Sequence, residues 1–161
     1  MHIDSIDRRI LVTLQAQGRI ANKRLAERVS LSPSACLVRV RSLEALGLLR
    51  GYTARIALEK LTPFIEVFAE VTLANHAPRD FTRFEQAVAD IAEITTCYKV
   101  SGTCDYLLKF VCLDVRDYTR VSDQMLAGDL GIKSLQTLIS LARTKEQVGY
   151  PLQRLLADPR Q

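Results

Sequence analysis

The sequence predicts an α+β chain in two parts. Residues 1–60 form three short helices with an extended tail, and residues 61–161 form a β-α-β-β-α-β unit. Three observations predict it. Apolar residues recur at helical spacing through the first 50 positions. Alternating and continuous apolar runs then interleave with two amphipathic helices. The charge divides at the same place: residues 1–62 hold 11 Lys and Arg against 5 Asp and Glu, and residues 63–161 hold 11 against 13. A net charge of +4 thus conceals a basic first part on a mildly acidic second one.

The first helix is carried by Ile6, Ile10 and Leu14, which share one face, with Arg8, Arg9 and Gln15 off it; Gly18 ends it. A second helix is expected over 22–29, with Leu25, Ala26 and Val29 inward and Lys23, Arg24 and Arg28 outward. Ser32-Pro33 opens a third. The serine hydroxyl accepts an orphan N–H, and proline at the first helical position loses nothing. This helix is expected over 33–46, closed by Gly47. Its inward face is Cys36, Leu37, Val40, Leu43 and Glu44, and its outward face is Ser34, Ala35, Val38, Arg39, Arg41 and Ser42. Two helices, a tight turn and a third helix with small, hydroxyl and arginine side chains outward is the pattern of a helix-turn-helix. Small residues let the helix start approach a major groove, and arginines reach guanine edges or phosphates. Ser32, Ser34, Ala35, Val38, Arg39, Arg41 and Ser42 are therefore the candidate DNA contacts, Arg39 and Arg41 foremost. The stretch 51–57 reads as a short strand, and with Arg50 and Arg55 as a wing on the DNA backbone (wing and linker about 50–60). A plain three-helix bundle has the same periods; the basic outward face separates the two readings.

In the second part, 64–73 alternates: Ile65, Val67, Ala69, Val71 and Leu73 face one way, Glu66, Phe68, Glu70 and Thr72 the other. A helix follows over 78–89 on Phe81, Phe84 and Val88, then a strand over 91–100 and a turn at Ser101-Gly102-Thr103. The strand over 104–113 is apolar on both faces. A helix over 115–126 carries Tyr118, Val121, Met125 and Leu126 inward, and 132–141 is the last strand. This order is that of a ferredoxin-like sandwich, whose helices cover one sheet face. The other face would leave Phe, Tyr, Leu and Val side chains in water, and the simplest cover is a second copy about a two-fold axis.

Other classes find little support. The composition, 48% hydrophobic and 25% charged, is that of a globular chain and not of a disordered one. No apolar run approaches the ~20 residues that cross a bilayer, and the N-terminus does not read as a signal peptide, so a cytoplasmic protein without membrane contact is expected. Cys36, Cys97, Cys104 and Cys112 form no C-x-x-C pair, and His2 and His76 lie far from them, so no metal site and no cofactor are expected. The cysteines read as small buried apolar residues, a redox role for Cys97 and Cys104 being the alternative. An enzyme would need a nucleophile–base pair or paired carboxylates in a pocket. Asp114 and Asp117 are close, but they stand at a strand-to-helix junction where capping explains them, and neither histidine has an evident partner. No catalytic residue is assigned.

The stretches "IDRRILVTLQAQGRIANKRLAERVSLSPSACLVRVRSLEALGLLRGYTA" and "SGTCDYLL", with the ending "KEQVGYPLQRLL", carry a resemblance. The chain resembles the leucine-responsive regulatory protein / AsnC (Lrp/AsnC, feast/famine) family of transcription factors, from about Ile6 to Leu156. The resemblance implies a winged helix-turn-helix on double-stranded operator DNA, placing the protein with the nucleoid. It also implies a ligand-binding domain that dimerises through its sheet, with assembly into larger oligomers such as octamers. A small amino acid would then act as effector, not cofactor. The family's effector loop matches residues 102–106. Asp105 matches its acidic residue, suited to an ammonium group, and the Gly102 and Thr103 N–H groups suit a carboxylate. Leu135, Thr137 and Ile139 match positions that often line the same pocket. Two departures stand out. The family often has an acid where Thr103 stands, so the effector's identity does not carry over. Ser30 stands where glycine is frequent and would have to adopt a positive φ.

Overall fold

Helix α1 (Ser5–Ala16) starts where two aspartates cap each other's backbone. In the computed structural model, which describes residues 3–146 and 149–156, the Asp4 carboxylate accepts the Ile6 and Asp7 N–H groups, and the Asp7 carboxylate accepts the Asp4 N–H. His2 and the tail residues Gln147 and Val148 lie outside the described residues. Helix α2 (Asn22–Val29) ends at Ser30 with φ 60°, ψ 46°. The turn thus takes the left-handed form that the sequence implied, and a Cβ-bearing residue carries its cost. Ser32 caps α3 (Pro33–Ala45), its Oγ accepting the Ala35 N–H at 3.2 Å. A positive φ at Gly47 closes the segment.

Ile10, Leu11, Leu14, Leu25, Val29, Cys36, Val40 and Leu43 make the small aliphatic core of this unit. Leu37 and Glu44, expected inward, are exposed, because three helices enclose only a narrow stripe of α3 and the positions flanking Val40 and Leu43 fall outside it. The expected wing strand over 51–57 does not form: the segment has no ladder partners and leads to a short 3₁₀ turn at Leu58–Lys60. A wing needs a second strand to pair with, and the sequence offers one extended run.

The chain's compact units are Met1–Arg55 with the segment from Lys145 onward, and Ile56–Thr144. The tail, expected within the second domain, therefore belongs with the first unit. Gln15 on α1 holds it by two bonds, Nε2 to the Tyr150 carbonyl at 2.7 Å and Oε1 from the Tyr150 N–H at 2.9 Å. Leu152 packs on the aliphatic core. Gly149, at φ 134°, lets the backbone pass Gln15: a Cβ there would lie 2.4 Å from that side chain.

The second unit comprises β1 (Ile65–Leu73), α4 (Pro78–Ala89), β2 (Ile94–Lys99), β3 (Tyr106–Cys112), α5 (Val115–Ala127) and β4 (Ile132–Ile139). The sheet is antiparallel with order β2-β3-β1-β4, and Ala69 pairs with Leu108 on one side and Thr137 on the other. This is the predicted ferredoxin-like sandwich. Val67, Val71, Phe84, Tyr106, Leu108, Phe110, Tyr118 and Met125 build its core, with Phe110 meeting Tyr118 edge-on at 5.2 Å. Leu126, expected inward, is exposed, and Ser122 takes the buried place on α5, its hydroxyl bonding back to the Thr119 carbonyl. Asp114 caps α5 and Asp117 accepts the Leu113 N–H, so both acids are structural. The sheet's other face carries Phe68, Leu107 and Val111 around an ion cluster in which Glu66 meets Lys109 at 2.7 Å and also pairs with Arg143. It is less purely apolar than expected.

Candidate nucleic-acid interface and effector loop

The N-terminal face of α3 is open. Ser32, Ser34, Ala35, Val38, Arg41 and Ser42 are all exposed, and Val38 keeps 68% of its surface in solvent. Ser32 and Ser34 lie side by side at 3.2 Å between hydroxyls. The start of α2 is tied to this face, since the Asn22 amide donates to the Pro33 carbonyl at 2.8 Å. Arg41 and Arg50 are exposed, and Arg55, also exposed, pairs with Glu146.

Arg39 departs from its expected place. Its Nη1 lies 2.5 Å from Asp4 and 2.9 Å from Asp7, so it clamps α3 to the capped start of α1. The Asp7 backbone N–H first, and the Arg39 guanidinium after it, hold the Asp4 carboxyl below the ordinary carboxylate range. Helical position alone put Arg39 outward. Two acids three residues apart at the start of α1 were the signal for its pairing, but that signal crosses more than 30 residues of sequence.

In the second unit, Gly102 has φ 135° and open space around it, so the backbone conformation and not crowding requires the glycine. Asp105, three residues on, accepts the Leu73 N–H at 2.8 Å and meets His76 Nε2 at 3.1 Å. These contacts, the Leu73 bond first, draw its carboxyl below the ordinary range although partial burial opposes them. Sequence reasoning missed His76, which also lies 5.8 Å from the Phe81 ring. Nearby, Lys99 sits over Phe81 at 3.5 Å and meets Glu85 at 3.3 Å, while the Tyr106 hydroxyl donates to Glu85 at 2.6 Å.

The six expected effector residues do not converge within one chain. Gly102, Thr103 and Asp105 share the loop before β3. Leu135 pairs with Val71, which pairs with Tyr106, so it lies two strands away, roughly 10 Å. Thr137 and Ile139 stand further along β4, toward the far end of the sheet. Thr137 faces the helices and bonds Tyr118 Oη at 2.6 Å.

Cys36 and Cys112 are buried as expected, but Cys97 is exposed, because it lies on the edge strand β2. Burial raises all four thiols above their ordinary value, Cys112 to about 11, so none is an activated thiolate. Among the described residues no group of three or more His, Cys, Asp or Glu could hold a metal ion.

Comparison with known proteins accounts for both parts. The AsnC-type helix-turn-helix domain matches residues 3–44, and the Lrp/AsnC ligand binding domain matches residues 66–150. The leucine-responsive regulatory proteins of Klebsiella pneumoniae and Escherichia coli are each 41% identical over 144 residues, 89% of this chain and 88% of theirs. The chain belongs to the Lrp/AsnC family. It is a DNA-binding transcriptional regulator and not an enzyme. Among solved structures, a transcriptional regulator of Neisseria meningitidis in complex with L-methionine superposes with a TM-score of 0.88 at 31% identity, over 96% of this chain and 99% of that one. A feast or famine regulatory protein of M. tuberculosis complexed with L-methionine gives 0.80 at 27% identity, over 92% and 99%. Among the described residues no helix is long and apolar enough to cross a membrane.

Proposed function

We propose that this Lrp/AsnC regulator reads double-stranded operator DNA with the α3 face and alters its DNA affinity or assembly when a small amino acid binds at the loop before β3. The exposed α3 face carries the reading: Ser32, Ser34, Ala35 and Val38 leave room at the helix start, and Arg41 and Ser42 supply donors further along. Arg50 and Arg55 serve the DNA backbone from a segment without ladder partners, Arg55 by exchanging Glu146 for a phosphate. Arg39 acts by orienting α3.

On the effector side, Asp105 is a carboxylate held ionised and suited to an ammonium group. Leu135, Thr137 and Ile139 are too dispersed to join Asp105 in one chain, so a complete pocket takes residues from another copy. The mixed open face of the sheet, Phe68, Leu107 and Val111 with the Glu66 cluster, is suited to that self-association. The protein acts in the cytoplasm, on the nucleoid, as a homodimer or a higher oligomer such as an octamer. It needs no cofactor.

Gel shifts with the DNA flanking its own gene, with and without each of twenty amino acids, test this together with light scattering. Methionine and leucine head the panel because relatives are named for or crystallised with them. Binding at low salt, and a change of affinity or mass with at least one amino acid that Asp105→Asn removes, is expected. No DNA binding at low salt, or identical affinity and mass under every amino acid, overturns it.

A further inference from the structure

A second basic site lies beside the recognition face. Arg19, from the loop after α1, and Arg24 and Arg28, one turn apart on α2, line one open cleft of about 440 Å³ with Gln17, Ile20 and Ala21. All three arginines are exposed, no acid lines the cleft, and among the described residues none of the three has an ion-pair partner. Seven of the chain's other arginines are differently placed: Arg8 and Arg9 bond backbone carbonyls, and Arg39, Arg55, Arg83, Arg120 and Arg143 pair with acids. Three like charges left together without compensation repel one another at low salt, and an anion relieves that.

The cleft's position says which anion. Asn22, next to Ala21 in the cleft wall, donates to the carbonyl of Pro33, the first residue of α3. The starts of α2 and α3 are therefore adjacent, and Ala21 leaves the N–H groups at the start of α2 without a side-chain cap. A B-DNA major groove is about 12 Å wide. A duplex whose groove receives the Ser32–Ser34 end of α3 brings one flanking strand over the start of α2.

We propose that Arg19, Arg24 and Arg28 form a clamp for the phosphodiester backbone flanking the groove that α3 reads. The clamp supplies affinity without sequence preference, a role distinct from that of Arg41 and Ser42. This rests on the operator-binding reading above.

The test measures DNA affinity against salt concentration for the full chain and for the R19A/R24A/R28A variant, on an operator duplex and on an unrelated duplex. The slope of log affinity against log salt is expected to be shallower by about two to three in the variant, since each phosphate that an arginine neutralises adds about 0.9 to it. Both duplexes should lose affinity by the same factor, and R19K/R24K/R28K should keep most of the slope. An unchanged slope overturns the clamp while leaving operator binding intact. So does a loss confined to the operator, since the arginines would then read bases. Inorganic phosphate separates the remaining source: if it raises the melting temperature of the unmodified chain but not of the variant while the DNA slope stays the same, the cleft is a small-anion site and the duplex assignment fails. Failure of the unmodified chain to bind either duplex at low salt overturns the operator reading and the clamp with it.

Discussion

The two units pair their charges to different degrees. In the second, five cations are held locally, Lys109 and Arg143 on Glu66, Lys99 on Glu85, Arg120 on Glu93 and Asp117, Arg83 on Asp80 and Asp129, while the exposed Lys60, Arg79, Arg116 and Lys133 are dispersed over separate elements. In the first, Arg19, Arg24, Arg28 and Arg41 stay open, and the ion pairs among the described residues are those of Arg39 with Asp4 and Asp7 and of Arg55 with Glu146. A surface's net charge therefore indicates a polyanionic partner only after its internal pairs are subtracted. The cores differ as well. The first is aliphatic and small, whereas the second is built on four aromatic rings: Phe84, Tyr106, Phe110 and Tyr118.

That second contrast predicts the largest effect. Phe110 is fully buried and meets Tyr118 edge-on, so Phe110→Ala should destabilise the second unit by about 3–5 kcal/mol. Hydrogen exchange resolved by segment should show protection lost over β1–β4 and retained in α1–α3. Equal loss in both would mean that the units do not fold separately.

The tail offers a test of where the first unit ends. Gly149→Ala imposes a positive φ on a side chain and drives its Cβ into Gln15, at a cost of roughly 1–3 kcal/mol. Exchange should rise at Tyr150 and Leu152, and the second unit should be untouched. If protection instead falls along β4, the tail belongs with the second unit after all.

Much of this architecture was readable in the residues. Asn22–Val29 and Pro78–Ala89 form with the expected limits because Ser30-Leu31 and the proline starts punctuate them locally. The strand faces followed from strict alternation in β1. What escaped was decided across the sequence. The partners of Arg39 are more than 30 residues away, His76 meets Asp105 across 29, and Gln15 reaches Tyr150 across 135. The wing strand was read from one extended run, yet a strand exists only with a partner. Helical phase marked the candidate contacts on α3 but could not distinguish an arginine facing DNA from one facing α1.

Ser30→Gly should act in the opposite direction to the first two changes. Ser30 holds φ 60° at the exposed end of α2, and glycine removes a cost of about 1 kcal/mol there. The first unit's melting temperature should rise with no change in operator preference. A drop would mean that the serine side chain contributes more than its backbone costs.

The smallest effect separates the units by acid. A carboxyl whose pKa is lowered on folding stabilises the fold above its unfolded value and loses that contribution as pH falls through the folded one. Among the described residues the first unit has one such group, Asp4, and the second has four, Glu66, Glu85, Asp105 and Asp117. For Glu66 burial opposes ionisation most, and Lys109 and Arg143 outweigh it. Below about pH 4 the second unit should therefore lose protection more steeply than the first, by small amounts per exposed pair. Arg39→Ala should weaken the first unit's acid dependence without abolishing it, because the Asp7 and Ile6 N–H groups still hold Asp4, whereas Asp4→Asn should flatten it. Segment-resolved exchange between about pH 5 and pH 3 reads both limbs. Parallel limbs would show that the paired charges of the second unit contribute no more to its stability than the single clamp does to the first.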